Sequence, residues 1–375
     1  LVRDVPELPM RGLRGFLTSA FLVIVLASCE RPPELIGVDN PEVPVDAVPD
    51  VSKHRIFVTT TRAASDQVGA LYATTRSSDL GLASVVVSVP PTHVPGQLER
   101  PTELPPDPRT EFAVVDPVVF KTEEAFINDV NRELAKLPPG QRTVLVFIHG
   151  YNTSTSDAVL RLGQFVEDSG FTGVPVLFTW ASAAQVPRYV YDLNSALIAR
   201  TKIKEMAQIL GRTRAERLDI LAHSMGTLLT MEGLVDAQLA GNLRNSRRLN
   251  NIILASPDID LDLFKTQISL LPDNVVDNIF VLVSKDDGAL RFSRRIAGGV
   301  PRVGAADAAE LEELGVTVID LSQIEDSGSG SHSKFAGSPE VVQLIGLAIN
   351  NTGPLETKTP VLNQILQNSP IQIFN

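Results

Sequence analysis

Short apolar runs recur at residues 143–148, 175–180, 218–222, 251–256, 278–284 and 316–321. Each is rich in Val, Ile, Leu or Phe and shows little polar alternation, the pattern of strands buried on both faces of a sheet. Longer stretches with helical periodicity lie between several of them, at residues 156–169, 194–210 and 225–239. Strands alternating with helices imply right-handed crossovers. The chain is therefore expected to form an α/β domain with a doubly wound, mostly parallel sheet and helices on both faces. Ahead of this rhythm, residues 122–137 place Phe126, Ile127, Val130 and Leu134 on one helical side. Residues 55–61 and 84–89 are rich in β-formers and are expected to enter the sheet as edge strands. Residues 90–109 read as a Pro-rich loop, and residues 351–375 carry too weak a pattern to assign.

One junction carries chemistry. The apolar run ending in Leu221-Ala222 leads into His223-Ser224-Met225-Gly226, and a helical pattern follows. This resembles the G-x-S-x-G elbow of α/β-hydrolases, with Ala222 in place of the first glycine. A serine on a sharp strand-to-helix turn needs small residues two positions either side, and Ala222 and Gly226 meet that demand. The helix N-terminus then aims backbone N–H groups at developing negative charge. Upstream, residues 144–148 form a buried strand that ends in His149-Gly150. In α/β-hydrolases that position lends an oxyanion donor, so the expected donors are the N–H groups of Tyr151 and Met225.

In this fold the chain order is nucleophile, acid, base. Of the five histidines, His332 alone follows Ser224, and it comes after the last expected strand. An imidazole there suits general base and acid work. For the acid, residues 278–284 end in Lys285-Asp286-Asp287-Gly288. Asp287 is the first choice and Asp286 the second. Asp258 and Asp260, after the preceding strand, are alternatives. Trp180, Tyr151, Tyr189 and Tyr191 follow strand ends on the side where these groups gather, and are candidate pocket walls.

Composition narrows the partners. A formal net charge of -11 argues against nucleic acid, which needs a basic surface. The single cysteine, Cys29, forbids an intramolecular disulfide and a multi-cysteine metal site. The scattered histidines give no metal-binding spacing, so neither metal nor cofactor is expected.

The N-terminal region reads as an address. Arg11 and Arg14 precede an apolar stretch from Phe16 to Ala27, too short to span a bilayer and suited to a signal peptide. Leu26-Ala27-Ser28-Cys29 resembles the bacterial lipobox, in which the peptide is cut before the cysteine and the cysteine carries lipid. Residues 1–29 are expected to be a lipoprotein signal, with residues 1–9 an over-extended start. Glu30 after the cysteine fits an outer-membrane lipoprotein facing the periplasm. Residues 30–52, rich in Pro, Asp, Glu and Val, are expected to form an extended tether to a catalytic domain over 53–350, with 351–375 as a tail.

Taken together, the chain resembles a family of bacterial α/β-hydrolase proteins of the esterase/lipase superfamily, many of uncharacterised function. The matching pieces include Phe57-Val58-Thr59-Thr60-Thr61-Arg62, His149-Gly150-Tyr151-Asn152, Phe178-Thr179-Trp180, Tyr191-Asp192, Ser256-Pro257-Asp258 and Ser284 to Leu290, together with His332. In that family's pattern the aspartate two before Ala-Leu corresponds to Asp287. The resemblance implies a serine hydrolase acting on carboxylic esters or thioesters, with a small-molecule or lipid ester as substrate and the membrane reached through the anchor. Two rivals are an inert cell-envelope scaffold on the same fold and an acyltransferase. The oligomeric state is left open.

Overall fold

The computed structural model describes residues 31–243, 248–325, 330–350, 367 and 369–374. The expected signal segment, Cys29 included, lies outside the described residues, as does most of the expected tail. The sheet and its helices belong to one compact unit that begins at Glu34.

Among the described residues, the strands are β1 (Ser52–Ala64), β2 (Tyr72–Val89), β3 (Ala113–Val119), β4 (Thr143–Ile148), β5 (Val174–Thr179), β6 (Arg217–His223), β7 (Leu249–Ala255), β8 (Ile279–Val283), β9 (Thr317–Asp320) and β10 (Gln372–Phe374). They form one ten-stranded sheet in the order β10-β9-β8-β7-β6-β4-β5-β1-β2-β3. The block from β1 through β5, β4, β6, β7 and β8 to β9 is parallel. The flanking strands β2, β3 and β10 run antiparallel to their neighbours. The helices are α1 (Glu123–Ala135), α2 (Thr155–Ser169), α3 (Tyr189–Gly211), α4 (Met225–Leu239), α5 (Leu261–Ser269), α6 (Asp273–Val276), α7 (Gly288–Ile296), α8 (Ala308–Glu312), α9 (Lys334–Gly337) and α10 (Pro339–Asn350).

The doubly wound form follows from strand alternation. Along β4, Val144, Val146 and Ile148 join a core with α1, α3, α4 and α5. Leu145 and Phe147 point the other way, into a core with α2 and α10. Because successive side chains face opposite sides, a wholly apolar strand must be covered twice. Close helix packing has its own requirements. Helix α2 opens on a capping box, with Ser154 receiving the N–H of Asp157 and Asp157 receiving that of Ser154, and closes on Gly170 at φ 60°. A Cβ at Gly346 of α10 would lie 2.4 Å from the Ser169 carbonyl oxygen, so glycine there lets α10 rest on the end of α2.

The structure revises three expectations. Strands β1 and β2 are not edges: β1 pairs β5 in parallel on one side and β2 antiparallel on the other, and β3 forms the edge beyond. Residues 113–119 had no assignment from the sequence; they hold Asp116-Pro117, and proline is tolerated on an edge strand. The stretch expected as a tether is docked from residue 34 onward. Leu35 and Ile36 are buried, the Leu35 N–H donates to Ser156 Oγ at 3.1 Å, and Ile36 bridges Val114. Finally, β10 lies within the segment that had too weak a pattern to assign, adding three residues beside β9.

The Pro-rich loop between β2 and β3 is tied to α2 by His93. Its Nδ1 meets Glu99 Oε2 at 2.7 Å and its Nε2 meets Asp168 Oδ1 at 2.8 Å. Burial alone lowers its pKa, but the hydrogen bonds and charges of Asp168 and Glu99 outweigh that and raise it from 6.5 to about 9. The folded value lies above the unfolded one, so the stabilisation is complete below the unfolded pKa and is lost as pH rises through the folded one. Stability is expected to fall by on the order of 1–3 kcal/mol between about pH 6 and pH 10 from this group. Calorimetric Tm profiles of the wild type and His93→Gln test this. The variant should melt lower at the acidic end and lose much of the slope; parallel profiles would refute the assignment.

Candidate active site

Ser224 stands between β6 and α4 at φ 53° and ψ −124°. A non-glycine residue there is strained, and such strain persists only where the surroundings impose it. The surroundings do so here. The Ser224 N–H donates to the Ala255 carbonyl at 2.9 Å, and the Ser224 carbonyl receives the N–H groups of Thr227 at 3.0 Å and Asp258 at 3.3 Å. A Cβ at Gly226 would sit 2.5 Å from the carbonyl oxygens of both Ile148 and His149, and one at Gly150 would sit 2.8 Å from Ser224 Cβ. Both glycines allow the end of β4 to press against the turn. The N–H groups of Tyr151 and Met225 belong to the residues that follow Gly150 and Ser224.

His332 is brought to the same place. Ser224 and His332 line one cavity of about 460 Å³, together with Tyr151, Tyr189 and His223. His332 Nδ1 lies 2.8 Å from Asp287 Oδ2. Asp287 is fully buried at the start of α7, and its Oδ1 receives the Leu290 N–H at 2.9 Å. A carboxylate only accepts hydrogen bonds, so Nδ1 carries the hydrogen, and in the neutral ring Nε2 keeps its lone pair.

The other acid candidates are engaged elsewhere. Asp286 receives the Lys334 ammonium at 2.9 and 3.1 Å and the Ser331 hydroxyl at 2.5 Å. Burial raises its pKa, but the hydroxyls of Ser284 and Ser331 and the Lys334 ammonium hold the carboxyl below its usual range. Asp258 receives Tyr189 Oη at 2.9 Å and Ser293 Oγ at 2.6 Å, and faces Arg302 Nε at 3.3 Å. Asp260 caps α5 through the N–H groups of Asp262 and Leu263.

Of the expected pocket walls, Tyr151 and Tyr189 line the cavity. Trp180 does not. It is fully buried, stacked on His149 with ring centroids 5.0 Å apart, and donates its indole N–H to the His149 carbonyl at 2.8 Å. Tyr191 faces the guanidinium of Arg76, 4.2 Å from its ring centroid. An apolar face large enough for a wall also suits packing, and only the surrounding fold separates the two uses.

Three positioning residues escape sequence reasoning. His223 is half-buried, with its pKa held well below 6.5, chiefly by desolvation. It is therefore neutral, and its Nε2–H donates to the backbone carbonyl of His332 at 2.9 Å, with the two rings 4.7 Å apart. Asp192 braces the loop after β4, receiving the Asn152 N–H at 3.1 Å, Ser182 Oγ at 2.6 Å and the Ala183 N–H at 2.6 Å. His149 is held near pKa 3, first by burial and then by the Arg62 charge. It is neutral, donating from Nδ1 to the Gly150 carbonyl at 2.8 Å and accepting from Thr179 Oγ1 at 2.9 Å. The one available signal was their place inside family-like motifs, with no spacing to mark their roles.

Against known proteins, the family model described as alpha/beta hydrolase of unknown function (DUF900) matches residues 122–347. No curated protein matches. Solved structures that are similar include an esterase from Rhizomucor miehei, at 12% identity and TM-score 0.32, covering 97% of this chain and 90% of that one. An esterase from Pyrobaculum calidifontis has 12% identity and TM-score 0.35, with 92% and 93% covered. A thermostable esterase from Pseudomonas putida has 15% identity and TM-score 0.32, with 93% and 91% covered.

Proposed function

Because the chain belongs to the family of alpha/beta hydrolases of unknown function designated DUF900, we propose that it is a serine hydrolase cleaving carboxylic esters or thioesters through an acyl-serine intermediate. The observation that carries this reading is the strained Ser224 sharing a cavity with His332, whose Nδ1 is held 2.8 Å from the buried carboxylate of Asp287.

The roles follow from the hydrogen positions. Ser224 Oγ attacks the acyl carbon while its proton passes to His332 Nε2. Asp287 keeps the ring in the required tautomer and stabilises the imidazolium that forms. The carbonyl oxygen becomes an oxyanion facing the N–H groups of Tyr151 and Met225, each worth about 2.7–4 kcal/mol in comparable sites. The imidazolium proton then leaves with the departing alcohol or thiol. Water repeats the sequence on the acyl-serine and releases the acid. His223 and Asp192 act through others: the first fixes the backbone of His332, the second the loop that carries Tyr151.

A panel of oxygen esters and thioesters of graded acyl length, with product analysis, tests the activity. Free acid and alcohol or thiol are the expected products. Acyl groups appearing only on an added acceptor would point to transfer in place of hydrolysis. We further propose that Cys29 carries a lipid anchor, on the strength of the Leu26-Ala27-Ser28-Cys29 motif. Anchoring by acyl chains needs more than one chain or signal. In bacteria fed labelled palmitate, the wild type should be labelled and membrane-bound, and Cys29→Ser should lose both properties. Label retained in the variant would exclude this anchor.

A further inference from the structure

Two elements rim the cavity at Ser224, and they are tied to each other. Tyr189 opens α3 and Ser293 lies in α7, and both hydroxyls donate to the Asp258 carboxylate, at 2.9 and 2.6 Å. All three residues line the cavity. Beyond this clamp, each element turns apolar side chains outward. On α7, Leu290 and Ser293 are buried, whereas Phe292 and Ile296 are 47% and 48% exposed. The latter two stand one helical turn apart and so share a face. Phe292 also lines the cavity, so this face continues into it. Beside Tyr189, Val186 and Val190 are 59% and 67% exposed. The Val186 carbonyl receives the hydroxyl of Tyr151, another lining residue.

The same two stretches are basic. Residues 185–191 hold Arg188, residues 288–302 hold Arg291, Arg294, Arg295 and Arg302, and neither stretch holds an acidic residue. Arg302 is buried against Asp258. The other four are exposed. Among the described residues none of these four forms an ion pair, and Arg294 donates to the Gly299 carbonyl at 2.8 Å. This is a local reversal of sign in a chain of formal net charge -11. Exposed apolar side chains bordered by arginines suit a bilayer interface, with the apolar groups at the acyl boundary and the cations among anionic headgroups. A second copy meeting the same patch across a two-fold axis would set arginine against arginine.

We propose that this rim is a docking surface that seats the mouth of the cavity on an anionic lipid bilayer, so that the ester cleaved at Ser224 is drawn from that bilayer. The substrate class rests on the serine-hydrolase reading; the docking does not. The route of the chain agrees with it. Glu34 Oε2 receives the Ser156 N–H at 3.3 Å, Leu35 donates to Ser156 Oγ at 3.1 Å, and the next residue along α2, Asp157, lines the cavity. The chain thus joins the domain beside the cavity. Cys29, the proposed lipid carrier, precedes Glu34 by five residues, a reach of at most about 18 Å. An anchor on so short a lead keeps the cavity close to the lipid.

The test is tryptophan fluorescence in vesicles, with the full chain as isolated from bacteria. The native Trp180 is buried and supplies a constant background. Phe292→Trp, or Ile296→Trp should the first not fold, places a reporter on the rim. Leu239→Trp is the control, 73% exposed at the far end of α4 and about 20 Å from Ser224. In phosphatidylglycerol vesicles carrying brominated phosphatidylcholine, the rim reporter should be quenched about two-fold or more beyond the control, because an interfacial face reaches roughly 5–10 Å into the acyl boundary. Wholly neutral phosphatidylcholine, or high salt, should reduce the quenching. Arg291→Gln and Arg295→Gln should each lower the docked-to-undocked ratio by about 5-fold. Ile296→Ser should cut turnover of a vesicle-borne ester by about 10-fold and leave a soluble short-chain ester unaffected. Equal quenching at rim and control, or quenching indifferent to lipid charge, overturns the surface. So does self-association of the chain that Ile296→Ser abolishes, which would assign the patch to a second copy. The comparison holds whether or not Cys29 carries lipid, since reporter and control share the same chain. Failure of the serine-hydrolase reading looks different: no ester is turned over and a fluorophosphonate leaves Ser224 unlabelled, while the quenching still reads the docking.

Discussion

Ser224→Ala is expected to lower kcat on any accepted ester by about 10⁴- to 10⁶-fold and to abolish labelling by a fluorophosphonate. The expectation rests on geometry. Its backbone bonds to Ala255, Thr227 and Asp258 do not involve the hydroxyl, so alanine inherits the same turn. The strained φ of 53° is tolerated by alanine no worse than by serine. The variant should therefore fold, with Tm close to wild type, and lose the chemistry alone. Residual turnover of about 10³-fold over water is compatible with the reading, because the oxyanion donors remain. Full labelling of Ser224→Ala would end the assignment of this residue as nucleophile.

Asp287→Asn is the second large effect, expected at about 10³- to 10⁴-fold in kcat. An amide in place of Oδ2 presents an N–H to His332 Nδ1. The ring then turns its lone pair toward residue 287 and its hydrogen toward Ser224, which is the wrong tautomer for a base. KM should change little, since the carboxylate lies behind the imidazole and not on the cavity wall. The neighbouring Asp286→Asn provides the contrast. Its carboxylate meets Lys334, which is buried at 1% exposure, so the loss should appear mainly in Tm. Asp258→Asn disturbs Tyr189, Ser293 and Arg302 and should act chiefly on the cavity wall. If Asp286→Asn or Asp258→Asn matched the catalytic loss while Asp287→Asn retained activity, the acid would have to be reassigned.

The parallel block was legible because its strands are buried on both faces. No alternation masks residues 143–148, and β4 occupies just those positions. The helix following Ser224 was legible for the same reason of local pattern, and α4 runs over the expected residues 225–239. The outer strands were harder. Whether β1 is an edge depends on a partner, β5, that begins more than a hundred residues later. Docking of residues 34–36 was illegible because a Pro-rich, acidic stretch looks the same whether solvated or laid on a surface.

At the level of local sterics and periodicity, the chain alone determined the strands of the parallel block, the helices that follow β4, β5 and β6, and where a serine is forced into a sharp turn by small neighbours. It also limited the candidate base to His332, given the fold's chain order. Only the tertiary structure sets Asp287, and not Asp286, against the His332 imidazole. Adjacent residues leaving a strand point to different sides, and what meets each one is supplied by a loop some 45 residues further on. Lys334 meets the first and the imidazole the second. Selection of that kind is made by packing at long range, which no local pattern records.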